Sequence, residues 1–334
     1  MKKRPYREEE DLARPGVIGR SAILAARPDL REHFSDLDEA FPVRITRSFA
    51  ARMDLSDPSD PLARQVMPDP RERAPDPGDV VDAVGDMAMS PVPWVVRKHP
   101  DRLILMVTKR CHLYCRYCFR RTHAPGEAMD PTPAAWETAL QYVESSGVEE
   151  VILSGGDPLT LRDADLFALV DRLKRRVPVV RIHTRAPITY PRRVTSELSR
   201  GLAERGPVWM VVHCNHVNEL SKDVDAALAR LIRAGVPMLN QAVLLRGVND
   251  SADTLVALFQ GLVRRRVFPY YLHQTDPVPG NAHLRVPVAE GLSLMEAVRA
   301  RVSGVALPQF VVDPSDGSGK QVASVEHSQL LGRG

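Results

Sequence analysis

Three of the four cysteines of this chain fall within eight residues, as Cys111, Cys115 and Cys118 in TKRCHLYCRYCFRR, with three and then two residues between them. Thiolates at that spacing can ligate three irons of a [4Fe-4S] cube and leave the fourth iron open to a small chelating molecule, unlike the four-cysteine electron carriers. A zinc knuckle is the competing chemistry. It needs a fourth ligand, for which His112 or His123 stands nearby. The remaining cysteine, Cys214, follows the apolar run WMVVH and reads as a small core residue. So few and so crowded thiols make a poor disulfide framework and a good metal pattern for a reducing compartment, which places the protein in the cytoplasm.

Such a loop needs a scaffold. From residue 102 onward, short aliphatic runs alternate with helical patterns of about a dozen residues, the mark of βαβ units and a parallel sheet. Strands are expected at 103–107, 150–154, 179–183, 209–213, 238–243 and 269–273, with helices between them, for example at 134–145, 164–175, 224–234 and 252–265. Six such units predict an α/β fold of the partial (β/α)6 barrel type, because eight would need more chain than remains. Barrel enzymes carry their chemistry on loops at the C-terminal ends of strands. The cysteines follow the first strand directly, and LSGGDPL closes the second; its glycines let the backbone approach a ligand closely.

Three regions follow: 1–100, a partly helical extension with helical patterns at 18–26 and 30–40; 101–302, the barrel core; and 303–334, a C-terminal segment. The proline-rich stretch 58–93 is expected to wrap over another domain and form no core of its own. Lys and Arg total 45 against 42 Asp and Glu, so the net charge of +3 makes no electrostatic case for nucleic acid or an anionic membrane. No run is long enough to span a bilayer, and the amino-terminal MKKRPYREEEDLARPG lacks the apolar stretch of a secretory signal.

The cysteine spacing after a first barrel strand resembles the radical S-adenosylmethionine (SAM) superfamily. That resemblance implies that the amino and carboxylate groups of SAM occupy the open iron, and that one electron into the sulfonium releases a 5'-deoxyadenosyl radical. LSGGDPL is similar to the superfamily's loop for the methionine end of SAM, so Ser154, Gly155, Gly156 and Asp157 are implied contacts. Within the superfamily the chain resembles the lysine 2,3-aminomutases from about residue 41 to 320, through DPSDPLARQVMPD, SPVPWVVRKHPDR, CRYCFRR, HCNHVNEL, LNQAVLLRGVND, PYYLHQTD and FVVDPSDGSGK. The family also uses pyridoxal 5'-phosphate (PLP): the amino acid forms an aldimine, a radical forms at its β-carbon, and the nitrogen migrates.

The roles implied by this resemblance attach to particular residues. Lys320 in DGSGK matches the lysine that binds PLP, and Lys98 and Arg102 match the basic pair on its phosphate. Arg120 matches the arginine for the substrate α-carboxylate, a task suited to a planar bidentate cation. Tyr117 matches an aromatic residue on the adenine of SAM, and His213 and Gln241 match further SAM contacts. Asp276 and Asp313 match the two aspartates that hold the ε-ammonium of lysine. Two carboxylates buried together favour a cation between them, so a basic amino acid is expected and glutamate is not.

The expected activity is therefore interconversion of L-α-lysine and β-lysine, with an electron donor such as flavodoxin or ferredoxin and a homo-oligomer allowed. Longer family members continue past the PLP lysine into a zinc-binding segment that swaps between subunits; with no cysteine after Cys214, neither is expected here. A shorter branch makes β-lysine for elongation factor P, and FPVRITRSFAARM and His273 in HQTD look like that branch. The branch commonly lacks the aspartate this chain keeps as Asp313. Free L-lysine is the expected substrate, with β-lysine for elongation factor P or another amino acid as the alternatives.

Overall fold

The computed structural model describes residues 16–122 and 128–327, so His123 lies outside the described residues. Three short helices open the chain: α1 (Arg20–Ala26), α2 (Phe34–Ala40) and α3 (Arg47–Ala50). Their apolar faces meet Leu62, Val66 and Met67 in a small core of their own, which also takes in Leu113 from the cysteine loop. The proline-rich stretch thus wraps the barrel and also contributes to a core, a part the scarcity of apolar clusters in its sequence concealed.

One sheet of nine strands follows in chain order: β1 (Val95–Val96), β2 (Arg102–Thr108), β3 (Glu150–Gly155), β4 (Val179–Thr184), β5 (Val208–His213), β6 (Met238–Val243), β7 (Phe268–His273), β8 (Gln309–Val312) and β9 (Gln321–Val322). β2 to β8 run parallel, while β1 and β9 pair antiparallel at the two edges. The crossovers are α4 (Pro133–Ser145), α5 (Asp163–Leu173), α7 (Ser196–Glu204, preceded by the single turn α6, Ala186–Thr189), α8 (Lys222–Ala234), α9 (Ala252–Arg264) and α10 (Val288–Arg299). Among the described residues β1 and β9 do not pair, so the barrel stays open. The six expected strands are β2 to β7, and β8 adds a seventh parallel strand drawn from the segment after residue 302.

Local chemistry sets these boundaries. Thr132 caps α4 by accepting from the Ala135 amide, with Pro133 at the first helical position. Gly235 ends α8 in the left-handed region at φ 93°. Within the sheet, period-2 alternation divides the faces. On β4, Val180 and Ile182 are buried in the core beneath the helices, while Arg181 and His183 face inward. The same phase turns His213, Gln241, Val243, Tyr271 and His273 inward from β5, β6 and β7. Among the described residues no helix is long and apolar enough to cross a membrane.

Candidate functional site

The inward residues line a cavity of about 300 Å³, in which they meet the cysteine loop, the Ser154–Gly156 turn, Asp276, Asp313 and Lys320. Cys111, Cys115 and Cys118 all face it. Burial pushes the Cys111 thiol up, and with help from Cys115 it pushes Cys118 to about 11. Coordination to iron reverses that tendency, since a metal-bound thiol is deprotonated outright. Among the described residues no three His, Cys, Asp or Glu side chains converge enough to hold a single metal ion. A cube asks less of them, because each thiolate takes a different corner.

The loop owes its shape to residues distant in sequence. Arg116 is fully buried and Arg121 nearly so, and both make ion pairs with Glu72 of the wrapping stretch. Burial works against ionisation of Glu72, yet Arg116 and Arg121 outweigh it and hold the carboxyl below its ordinary range. Beneath Cys115, Arg185 donates to the sulfur at 2.8 Å, and its other terminal nitrogen reaches Gln65 at 2.6 Å and Glu219 at 3.0 Å. Tyr117 packs its ring on His213 and shares a 3.0 Å hydrogen bond with the His213 Nε2, while Asn215 donates to its hydroxyl at 2.8 Å. None of Glu72, Arg185, Gln65 or Asn215 was singled out from sequence.

The glycine turn serves the cysteine loop first. Gly155 has φ +108°, and a Cβ there would lie 2.4 Å from the Thr108 carbonyl oxygen; at Gly156 it would lie 2.1 Å from the Arg110 oxygen. The Gly156 amide donates to Thr108 and the Asp157 amide to Arg110, at 2.6 and 2.7 Å. The Asp157 carboxylate accepts from the Leu159 amide, the Thr184 hydroxyl and the Arg185 amide. It stays at the cavity wall with Ser154, already occupied.

On the other side lies a chain of alternating charges. Arg120 donates from Nε and Nη2 to one oxygen of Asp86, at 3.1 and 2.6 Å. Lys98 stands 3.4 Å from the other Asp86 oxygen and 3.2 Å from Asp313, and it also donates to the Val84 carbonyl. Lys320 reaches the second Asp313 oxygen at 3.2 Å. Burial opposes ionisation of Asp86, but Arg120 and Lys98 outweigh it and keep its carboxyl below the ordinary range. Asp276 is pushed the other way, up to about 7, by burial first and then by Asp313, with Lys320 and Lys98 pulling against them. Arg102 lines the cavity but pairs with its neighbour Asp101 at 3.0 Å, so the basic pair expected from RKHPDR is split in this structure.

Two histidines complete the wall. His183 and His273 each keep an Nε2 shielded from solvent without a hydrogen-bond partner. Burial depresses both, His273 to about 3, so both imidazoles are neutral. Gln241 lies on the same wall.

A parallel open barrel with three cysteines at the mouth of its first parallel strand defines a radical SAM enzyme, and residues 105–259 match the model of the radical SAM superfamily. The three thiols fit a [4Fe-4S] cluster with SAM on its open iron, as the superfamily requires. The match to characterised proteins is narrower. The chain is 39% identical to the L-lysine 2,3-aminomutase of Clostridium subterminale, over 86% of this chain and 71% of that one. It is 40% identical to the L-lysine 2,3-aminomutase of Escherichia coli K12, over 81% and 80%. It is also 34% identical to the glutamate 2,3-aminomutase of Clostridioides difficile 630, over 90% and 72%. The chain belongs to the lysine 2,3-aminomutase family of radical SAM isomerases. The family's further cofactor is PLP. A lysine at the cavity wall with its amine 3.2 Å from a carboxylate, as Lys320 has, fits that group.

Proposed function

We propose that this enzyme is a PLP-dependent L-lysine 2,3-aminomutase of the cytoplasm, interconverting L-α-lysine and β-lysine on electrons from a carrier such as flavodoxin or ferredoxin. The observation that carries the substrate is the pair Asp276 and Asp313 in one cavity. Burial first and then Asp313 lower the acidity of Asp276 in that cavity, and a cation between the two carboxylates relieves both. An amino acid with a terminal ammonium supplies that cation. Glutamate brings a third carboxylate to the same place, which sets it against this pair even though a glutamate 2,3-aminomutase stands among the relatives.

This chain's own residues then divide the work. Cys111, Cys115 and Cys118 hold the cluster, with Tyr117, Ser154, Gly155, Gly156, Asp157, His213 and Gln241 around the SAM that it binds. When bound there, SAM would supply the radical chemistry that activates the substrate. Lys320 would anchor PLP and Arg102 would bring positive charge to its phosphate, while Lys98 stays between Asp86 and Asp313. Arg120 turns its guanidinium to the α-carboxylate while Asp276 and Asp313 fix the other end, so that the β-carbon is held at one distance from the cluster. Closing both ends of the substrate is what converts binding energy into orientation. The neutral His183 and His273 each offer a shielded imidazole Nε2 to this cavity.

The test is an anaerobic assay of the enzyme reconstituted with iron, sulfide, SAM and PLP, given lysine, ornithine, arginine, glutamate and alanine in turn. β-Lysine formed well ahead of every other product is the expected result. Preference for glutamate, or SAM cleavage without isomerisation of any amino acid, would overturn the proposal.

A further inference from the structure

We propose that Asp86, in the proline-rich extension, is the positioning residue for Arg120: it fixes one edge of the guanidinium so that the opposite edge faces the substrate carboxylate. This rests on the aminomutase reading above and assigns a part to a residue outside the barrel. Arginine has five N–H donors in a rigid plane, one on Nε and two on each terminal nitrogen. Asp86 takes the Nε donor at 3.1 Å and one Nη2 donor at 2.6 Å, both on a single oxygen. The Gly155 carbonyl lies 3.4 Å from Nη1, on the third side. One donor on Nη1 and one on Nη2 remain, side by side on the outer edge. That edge has the fork geometry which takes a carboxylate through two parallel bonds. Asp86 and a substrate carboxylate can therefore hold Arg120 at the same time, on different edges.

The second oxygen of Asp86 gives the arrangement its reach. It faces Lys98 at 3.4 Å, and Lys98 in turn lies 3.2 Å from Asp313. Asp86 thus joins the residue at the α-carboxylate end to the residue at the far end of the cavity. The side chains of Arg120, Asp86 and Lys98 are 12%, 8% and 8% exposed, so these contacts are made with little water to screen them. The extension on which Asp86 sits is pinned to the cysteine loop through Glu72. Arg120 follows Cys118 by two residues, so the same loop sets both cluster and clamp.

The alternative is that Asp86 merely fills the place of the substrate carboxylate. The two readings predict opposite signs. Asp86→Asn and Asp86→Glu enzymes, loaded with cluster and PLP but without SAM, are titrated with L-lysine and with L-lysinamide, which lacks the carboxylate, following the cofactor's absorbance. For Asp86→Asn the dissociation constant for L-lysine should rise about 10- to 100-fold, the range for loss of a charge-assisted bidentate contact. L-Lysinamide should move less than about threefold, since it never used the Arg120 fork. Asp86→Glu, which keeps the charge, should fall between the wild type and Asp86→Asn for lysine. Iron content and the cofactor band without amino acid should match the wild type. Equal weakening of both ligands, no change in either, or tighter lysine binding overturns the assignment. So does failure of both variants to load their cofactors, which shows Asp86 to be part of the scaffold. If the wild-type enzyme responds to neither ligand, the aminomutase reading itself falls and takes this inference with it; a response in wild type separates the two failures.

Discussion

Asp313 holds Lys98 on one carboxylate oxygen and Lys320 on the other, each at 3.2 Å. Asp276, in the same cavity, has no such partner among the described residues and is pushed up to about 7, by burial first and by Asp313 second. Its ordinary value of 3.8 holds in the unfolded chain. Between about pH 4 and 7 the folded protein therefore binds a proton that the unfolded chain has released, and this group's contribution to stability falls as pH rises through that window. Replacing the carboxylate removes the slope. Asp276→Asn should raise the melting temperature of the protein without amino acid by several degrees at pH 8 and by nothing measurable at pH 4, with a ceiling of about 4 kcal/mol. Scanning calorimetry at both values checks it; an equal effect at both would show that Asp276 does not titrate in this range.

Glu72 carries two arginines that cannot reach water. Glu72→Gln leaves the fully buried Arg116 and the nearly buried Arg121 without a counter-charge. Breaking a buried pair from one side costs on the order of 3–5 kcal/mol. Denaturant melts of the variant should show a loss in that range, and the iron bound per chain should fall with it because the cysteine loop loses its brace.

The barrel strands were legible because each is a run of β-branched or aliphatic residues closed by polar ones, and β2 to β7 lie within a residue or two of their expected limits. β8 escaped because FVV is too short to stand out beside PSDGSGK; only its pairing with β7 makes it a strand. At the site, the three cysteines announced themselves by spacing, while Arg120, Asp276, Asp313 and Lys320 were implied by the resemblance to the aminomutases; all line one cavity. Their partners carried no such signal. Asp86 and Glu72 are two acids in a stretch full of acids and prolines, and nothing local distinguishes them from solvated neighbours. What marks them is burial against arginines of the cysteine loop, which only the folded chain shows. Lys98 was expected at the PLP phosphate beside Arg102, and in the structure it sits between Asp86 and Asp313.

Gly156 tests the contact between the two loops. A Cβ at this position meets the carbonyl of Arg110 at 2.1 Å and the Lys109 and Arg110 carbonyl carbons at 2.6 and 2.7 Å, all backbone that cannot swing aside. Gly156→Ala should cost about 1–3 kcal/mol of stability, as overpacking does. The cysteine loop must shift to relieve it, so the variant should also lose SAM cleavage. Gly147→Ala is the control: its φ of +67° strains the backbone, but nothing lies within 4 Å of the new methyl group and the site is distant in sequence. A Gly156→Ala enzyme that cleaves SAM at the wild-type rate would separate the loops.

Each of Cys111→Ala, Cys115→Ala and Cys118→Ala should lose the cluster and abolish SAM cleavage, because each thiolate serves a different iron. Cys214 is fully buried behind β5 in the main core, and its replacement by alanine should leave iron content and cleavage unchanged. Iron analysis and 5'-deoxyadenosine release measure both. Retention of a full cluster in all three loop variants would remove the iron–sulfur assignment.

Specificity rests on which end of the substrate each charge grips. If Asp276 and Asp313 receive the ε-ammonium, Asp313→Asn should weaken lysine by about 2–5 kcal/mol, the usual consequence of breaking a desolvated pair from one side. The same change frees Lys98 and Lys320 from a carboxylate that now holds both. With these aspartates at the far end of the substrate, as proposed, kcat should fall along with affinity: remote binding energy is what places the reacting carbon. Arg120→Lys keeps the charge but loses the planar fork, so it should weaken every amino acid to a similar degree. The two kinds of variant therefore separate on a panel: alanine, which has no terminal ammonium, should be hurt by Arg120→Lys and spared by Asp313→Asn, whereas lysine should be hurt by both. Lysine turnover unaltered in an Asp276→Asn, Asp313→Asn double variant would place the ε-ammonium elsewhere in the cavity and reopen the choice of substrate.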